Sequence, residues 1–152
     1  MNKREIVRKQ LDSKLISLQQ AAEVVPPESG WIFAFRYALN MSMRQLGQRL
    51  SITAQSVKEI EKREKRGTVS LKVLQQVAKA LNMKFFYGFV PADKTLEGMI
   101  EKRAAELADE IVKRASIQMN LEDQGVSEER LKRSVAEKAR EITNNLPRLL
   151  WD

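Results

Sequence analysis

Four side chains at helical spacing carry the most specific chemistry in this chain of 152 residues. Ala54, Gln55, Lys58 and Glu59 share one face of the opening turns of a helix, because residues three to four apart lie side by side there. The Gln55 amide pairs a donor with an acceptor and matches N6 and N7 of adenine. Lys58 can donate to O6 or N7 of guanine, and the Ala54 methyl can pack on that of thymine. Glu59 fits two roles, accepting from N4 of cytosine or facing water while it repels misplaced phosphates. Around this face stand Arg44, Lys62, Arg63, Lys65 and Arg66, cations suited to phosphate oxygens. Ser42 and Thr53 join them as the caps of helices whose positive N-termini attract phosphate, and Met43 joins as the first residue of one of those helices. Such contacts set affinity and register, not sequence. The run 62–66 also reads as a solvated helix end, since cations there suit the helix dipole.

Other chemistry is scarce. The chain has no Cys and no His, which removes disulfides, thiolate nucleophiles, most zinc sites and every scheme that depends on imidazole. Carboxylates alone could bind magnesium or act as an acid and base pair, but no constellation argues for it, so no catalytic residue, metal site or cofactor is expected. Apolar runs are only a few residues long, and the charged start Met1 to Lys9 is not followed by a signal-peptide core. The expectation is a cytoplasmic chain with no membrane partner.

The net charge of +7 is concentrated. Residues 29–67 hold eight basic and three acidic side chains, whereas residues 94–152 hold eleven and twelve. A short basic segment of this kind favours a polyanion, nucleic acid before membrane, while a merely solubilising surface stays open on charge alone. RNA is the weaker nucleic-acid reading, because the basic segment lacks evident aromatics for base stacking.

Helices dominate the elements that must position these groups. Residues 3–25 place Val7, Leu11, Leu15, Leu18, Ala22 and Val25 at amphipathic spacing, and Pro26-Pro27 ends the pattern. Residues 31–39 form a short helix with Ile32, Phe35 and Leu39 inward. Ser42 caps a helix over 43–50, with Gln45 placed to complete a capping box. After Ser51-Ile52, Thr53 caps a helix from Ala54 to about Arg63 that turns Val57, Ile60 and Glu61 inward. Ser70 caps another, carrying Leu71, Leu74, Val77, Ala78 and Leu81 on one side and ending at Asn82. The aromatic segment Met83 to Val90 reads as one short strand; since a lone strand cannot satisfy its backbone, it would pair with a second subunit or an unrecognised local strand. Thr95 opens a long helix to about Asp123, with Leu96, Ile100, Ala104, Leu107, Ile111 and Ala115 in one stripe, and Gly125 breaks it. Ser127 starts the last helix, with Leu131, Val135, Ala139, Ile142 and Leu146 in its stripe. These two near-neutral helices suit dimerisation or partner binding, or simply cover a core.

The decisive stretch runs from Met41 to Lys62. Two helices crossing steeply through a turn of about three residues need a small side chain at their closest approach, and Gly47 supplies it. Leu46, Leu50, Ile52, Val57 and Ile60 fill the wedge, which leaves the Gln55 face to enter a major groove. Residues 31–82 resemble the repressor and Cro type of helix-turn-helix, shared by phage repressors and the xenobiotic-response-element family of bacterial regulators. That resemblance implies a five-helix domain in which an arginine of the first helix pairs with a glutamate ending the recognition helix; Arg36 and Glu61 occupy those places. Ser51 departs from the family's usual turn glycine, and Met43 and Ala54 from its usual glutamines.

The whole chain is similar to the mobile mystery protein A family in Gly30-Trp31-Ile32, Gly67-Thr68-Val69-Ser70-Leu71-Lys72, Phe86-Tyr87-Gly88-Phe89-Val90-Pro91 and Leu150-Trp151-Asp152. This second resemblance implies a partner Fic-domain protein and an antitoxin-like autoregulator. Asp93 stands where Fic inhibitors often have Ser or Thr, with three residues between it and the glutamate, so Glu97 receives no inhibitory role. The expected architecture is all-α. A helix over 1–28 precedes a repressor-like helix-turn-helix domain plus strand over 29–91, and a helical dimerisation or partner-binding region follows over 92–152. The expected function is that of a homodimeric, non-enzymatic transcriptional regulator on inverted-repeat double-stranded DNA. The alternative is a toxin-neutralising interaction module in which DNA binding is secondary.

Overall fold

A computed structural model describes residues 2–121 and 127–152. All the regular structure among these is helical: α1 (Lys3–Ala22), α2 (Trp31–Ala38), α3 (Met43–Leu50), α4 (Ala54–Arg66), α5 (Leu71–Ala80), α6 (Leu96–Leu121), α7 (Glu128–Asn145) and a 3-10 turn (Arg148–Trp151). The expected helix end at Asp123 and the break at Gly125 lie outside the described residues.

Internal contacts divide the chain into two compact units, residues 22–88 and residues 1–21 with 89–152. The N-terminal helix shares a unit with the C-terminal helices.

In the unit 22–88, α2 to α5 surround Ile32, Leu46, Val57, Val77 and Leu81, with Phe35, Met43, Leu50, Ile60 and Leu74 packed against them. Leu46 is wholly buried, a burial that contributes about 1.5–3 kcal/mol. Expectations fail at three positions of the rim: Ile52, placed in the wedge, is 36% exposed. Leu39 and Leu71 face solvent because they sit at a helix end and a helix start, where the apolar stripe has rotated off the core. The implied five helices are four in this unit, because no helix follows α5 within it.

The chain after α5 also corrects the expected strand at 83–90. These residues have no regular structure, and among the described residues no backbone hydrogen bond involves residues 84–88. Aromatic content favours an extended chain, but a strand exists only where a partner completes the ladder.

In the other unit, α6 and α7 pack over Ile100, Ala104, Ala108, Ile142 and Leu150. Ala104 and Ala108 are fully buried, small residues that let the two helices come close. Arg103 holds the C-terminal 3-10 turn by donating from Nε to the Leu150 carbonyl at 2.7 Å. The stripe fades toward the end of α6, where Ile111 and Ala115 are exposed. Helix α1 ends at Ala22 instead of Val25, consistent with the restriction that Pro26 places on the preceding backbone. It buries no residue fully. Its link to α6 is polar: Asp12 accepts from the Leu96 and Glu97 amides at 2.7 and 3.3 Å, and Arg8 pairs with Glu97 at 3.1 Å. Asp12 thus caps a helix more than eighty residues away, which satisfies amides that no helix can satisfy internally.

Candidate nucleic-acid interface

The turn between α3 and α4 decides where the polar face of α4 points. Helix α3 begins with a complete capping box, in which Gln45 N donates to Ser42 Oγ at 3.0 Å and Ser42 N to Gln45 Oε1 at 2.8 Å. It ends at Ser51, which adopts φ 58° and ψ 39°, the left-handed region where a side chain is tolerated at a cost. Thr53 then caps α4 by accepting from Ser56 N at 3.0 Å. Gly47 makes the reversal tight: a Cβ there would lie 2.6 Å from the Ile52 carbonyl oxygen and 3.2 Å from the Thr53 carbonyl carbon. The closest approach is thus between α3 and the turn backbone, and no side chain fits it.

With α4 held this way, Val57 and Glu61 are buried and Ile60 is half-buried, while Ala54, Gln55, Lys58 and Lys62 are exposed. Glu59 stands between two neighbours. Gln55 Nε2 reaches its Oε1 at 3.5 Å, and Lys62 Nζ lies 3.7 Å from the same atom. Contacts this long on an exposed helix contribute about 0.2–0.5 kcal/mol and yield easily to a stronger partner.

Arg36 and Glu61 meet in a fork, Nε to Oε1 at 2.6 Å and Nη2 to Oε2 at 3.3 Å. Nη1 donates to the Met41 carbonyl at 3.1 Å, and the guanidinium lies 5.3 Å from the Phe33 ring centre. Both side chains are about nine-tenths buried, so the pair fastens α2 to α4 from inside.

Two further contacts were not anticipated from sequence. Glu64 accepts from the Trp31 and Ile32 amides, both at 2.9 Å, and so caps α2 from the far end of α4. Gly30 makes room for it at φ 87°, where a Cβ would lie 2.8 Å from Glu64 Oε1. The available signal was a lone carboxylate inside a basic run, together with a helix start that has no hydroxyl or carboxamide of its own. Arg49 is likewise engaged, donating to the Ala80 carbonyl at the end of α5 at 3.0 Å.

Of the cations assigned to phosphates, Arg44, Lys62, Arg63, Lys65 and Arg66 are all exposed. Among the described residues only Lys62 has an ion-pair partner. Met43 differs, since its side chain packs against the core; what it can offer a phosphate is its backbone amide at the start of α3. Gly67 ends α4 at φ 78°, and the basic turn closes as Thr68 N donates to the Arg63 carbonyl at 2.9 Å. No group of acidic side chains among the described residues could hold a metal ion, and no helix there is long and apolar enough to cross a membrane.

Residues 32–87 match the family model described as helix-turn-helix. No curated protein and no solved structure matches the chain. The matched segment spans α2 to α5 and the residues that follow them to Tyr87. Residues 32–87 are a helix-turn-helix domain of the phage-repressor and Cro type, and the chain that carries it is a DNA-binding transcriptional regulator.

Proposed function

We propose that the chain acts as a repressor and autoregulator that binds an inverted-repeat operator as a homodimer in the cytoplasm. Ala54, Gln55, Lys58 and Glu59 meet base edges; Ser42, Met43, Arg44, Thr53, Lys62, Arg63, Lys65 and Arg66 meet phosphates. The observation that carries this reading is the two-sided character of α4: a core face of Val57, Ile60 and Glu61 fixed to α2 and α3, and an outer face of Gln55, Lys58 and Lys62 left to solvent. An α-helix presented in this way fits the width of the major groove. Glu59 can release Gln55 and Lys62 on contact with DNA because both bonds are weak, which favours base contacts for Gln55 and Glu59 and a phosphate contact for Lys62.

Footprinting on the chain's own promoter, followed by titration of the protected duplex at rising salt, tests the reading. Affinity is expected to fall steeply with salt, as counterions released by the basic side chains predict. Binding indifferent to both salt and sequence would refute it.

An antitoxin-like role beside a Fic-domain partner rests on the resemblance to mobile mystery protein A. In its support, α6 and α7 form a unit with a core of its own that leaves Ile117, Leu149 and Trp151 exposed. Co-purification of the full chain with the neighbouring gene product tests it, and a chain truncated after Pro91 that still neutralises would refute the assigned surface.

A further inference from the structure

A groove opens beside α4 because α5 packs chiefly on α3 and makes little contact with α4. It holds about 750 Å³ between the three helices, within the range of small-molecule sites. Leu50, Ile60, Val73 and Val77 form an apolar floor, buried or half-buried, and Ile52 stands exposed at the edge. Arg49, Arg63 and Lys79 also line the groove, against a single carboxylate, Glu59. Among the described residues no acidic side chain pairs with any of these three cations, whereas Glu59 already has Lys62 Nζ at 3.7 Å. Arg49 Nη1 donates to the Ala80 carbonyl at 3.0 Å, which brings its charge to the end of the groove where Lys79 stands.

We propose that this groove binds a small organic anion with an apolar body, and that its occupancy releases DNA. The chemistry of the occupant follows from the lining. The floor favours a ring or short chain that removes Leu50, Ile60 and Val73 from water. The unpaired cations at the Arg49 and Lys79 end favour a carboxylate, sulfonate or phosphate there, and the Glu59 carboxylate repels that charge from its own side. The volume suits a molecule of this class and not the broad contact of about 800 Å² per partner that a folded protein makes.

Release of DNA follows from shared side chains. Gln55, Glu59 and Arg63 border the groove and are the same residues assigned to bases and phosphates. A ligand among them and a duplex on them exclude one another, so each lowers the apparent affinity for the other by the same factor. This regulatory half rests on the reading of α4 as the DNA-contacting helix; the binding half does not.

Titration of the full chain with 8-anilinonaphthalene-1-sulfonate, an aromatic anion, beside its uncharged parent N-phenyl-1-naphthylamine tests the binding half. Amide NMR shifts of the isotope-labelled chain map where the sulfonate binds. Saturable shifts at Ile52, Val73, Gln76 and Lys79 are expected, with the uncharged compound about tenfold weaker. Lys79→Glu and Gln76→Glu, at exposed positions outside the assigned DNA contacts, should weaken the sulfonate by a similar factor while the spectrum remains that of the folded chain. Shifts confined to other residues, equal affinity for the two probes, or variants that bind the sulfonate as the wild type does would each overturn the proposal. So would shifts at these amides that follow protein concentration with no probe present, which would mark the groove as covered by a second copy. Saturating sulfonate should then lower affinity for the protected promoter duplex, and the duplex should displace the sulfonate. Groove binding that leaves duplex affinity unchanged would overturn the competition. A chain that binds the sulfonate in the groove but binds no duplex sinks the operator reading and leaves the binding half standing.

Discussion

Replacing Gly47 with alanine adds one methyl group at the point where α3 meets the turn. That methyl would sit 2.6 Å from the Ile52 carbonyl oxygen, where a carbon and a carbonyl oxygen ordinarily rest about 3.3 Å apart, so the turn must retreat by roughly 0.7 Å. The retreat is resisted, because Ile52 N donates to the Gly47 carbonyl at 2.9 Å and ties the moving segment to the helix it must leave. Overpacking of this kind costs about 1–3 kcal/mol. Alanine's preference for helix over glycine returns about 1 kcal/mol. The net expectation is a loss of about 1 kcal/mol, or about 4–8 °C in Tm for a unit of this size. Because the displaced backbone carries Thr53 and the start of α4, specific DNA affinity should fall by more than the stability loss alone would cause. Urea unfolding followed by Trp31 fluorescence in a Trp151→Phe background isolates this unit, since these are the two tryptophans of the chain. Gln48→Ala, at an exposed neighbouring position, serves as the control and should be close to neutral. A Gly47→Ala chain as stable as wild type, with unchanged DNA binding, would refute the argument that this turn admits no side chain.

Four other outcomes follow from the same geometry. Arg36→Met and Glu61→Leu made singly should each cost about 3–5 kcal/mol in urea unfolding by stranding a buried charge, while the double variant should recover most of that loss; additive losses would contradict the pairing. Glu64→Ala should destabilise the unit by about 1–2 kcal/mol, as loss of a helix cap does, even though it makes the basic run more positive; unchanged or tighter unfolding behaviour would count against the cap. Lys62→Ala should weaken binding to all sequences alike and lower the salt slope by about 1, whereas Gln55→Ala should relax the preference at one base pair; equal effects on every sequence from Gln55→Ala would remove it from the base contacts. Asp12→Ala should leave DNA binding intact and reduce hydrogen-exchange protection at Leu96 and Glu97, and unchanged protection there would mean that another group satisfies those amides.

The parts of this fold that were legible in the sequence are those with local causes. Ser42 with Gln45, Thr53 and Ser70 each mark a helix start through contacts that reach only three residues, and the spacing of Leu46, Leu50, Val57 and Ile60 fixes which faces turn inward. What could not be read depends on partners distant in the chain. Glu64 looks like one more surface charge until α2 brings the Trp31 amide to it. Asp12 resembles any polar residue of an amphipathic helix, and nothing near it announces that it caps α6. The segment 83–88 shows the opposite failure. Its aromatic composition expresses a local preference for extended chain, but a strand is a property of two segments, and the second is not in the unit. In the candidate site, side-chain types and spacing suggested the outer face of α4, whereas the partial burial of Met43 depends on α3 lying against a core that composition does not reveal.

The two carboxylates of α4 that hold α2, Glu61 at its middle and Glu64 one turn further on, bear on how this helix meets its target. A helix bolted at two successive points to its neighbour cannot roll or tilt to suit an imperfect duplex; adjustment must come from the DNA or from the tips of long side chains. Little orientational freedom is then lost on docking, and a mismatched base pair is felt as a lost contact that the protein cannot rebuild by shifting. Rigidity of this kind makes the stiffness of the duplex itself part of what is recognised.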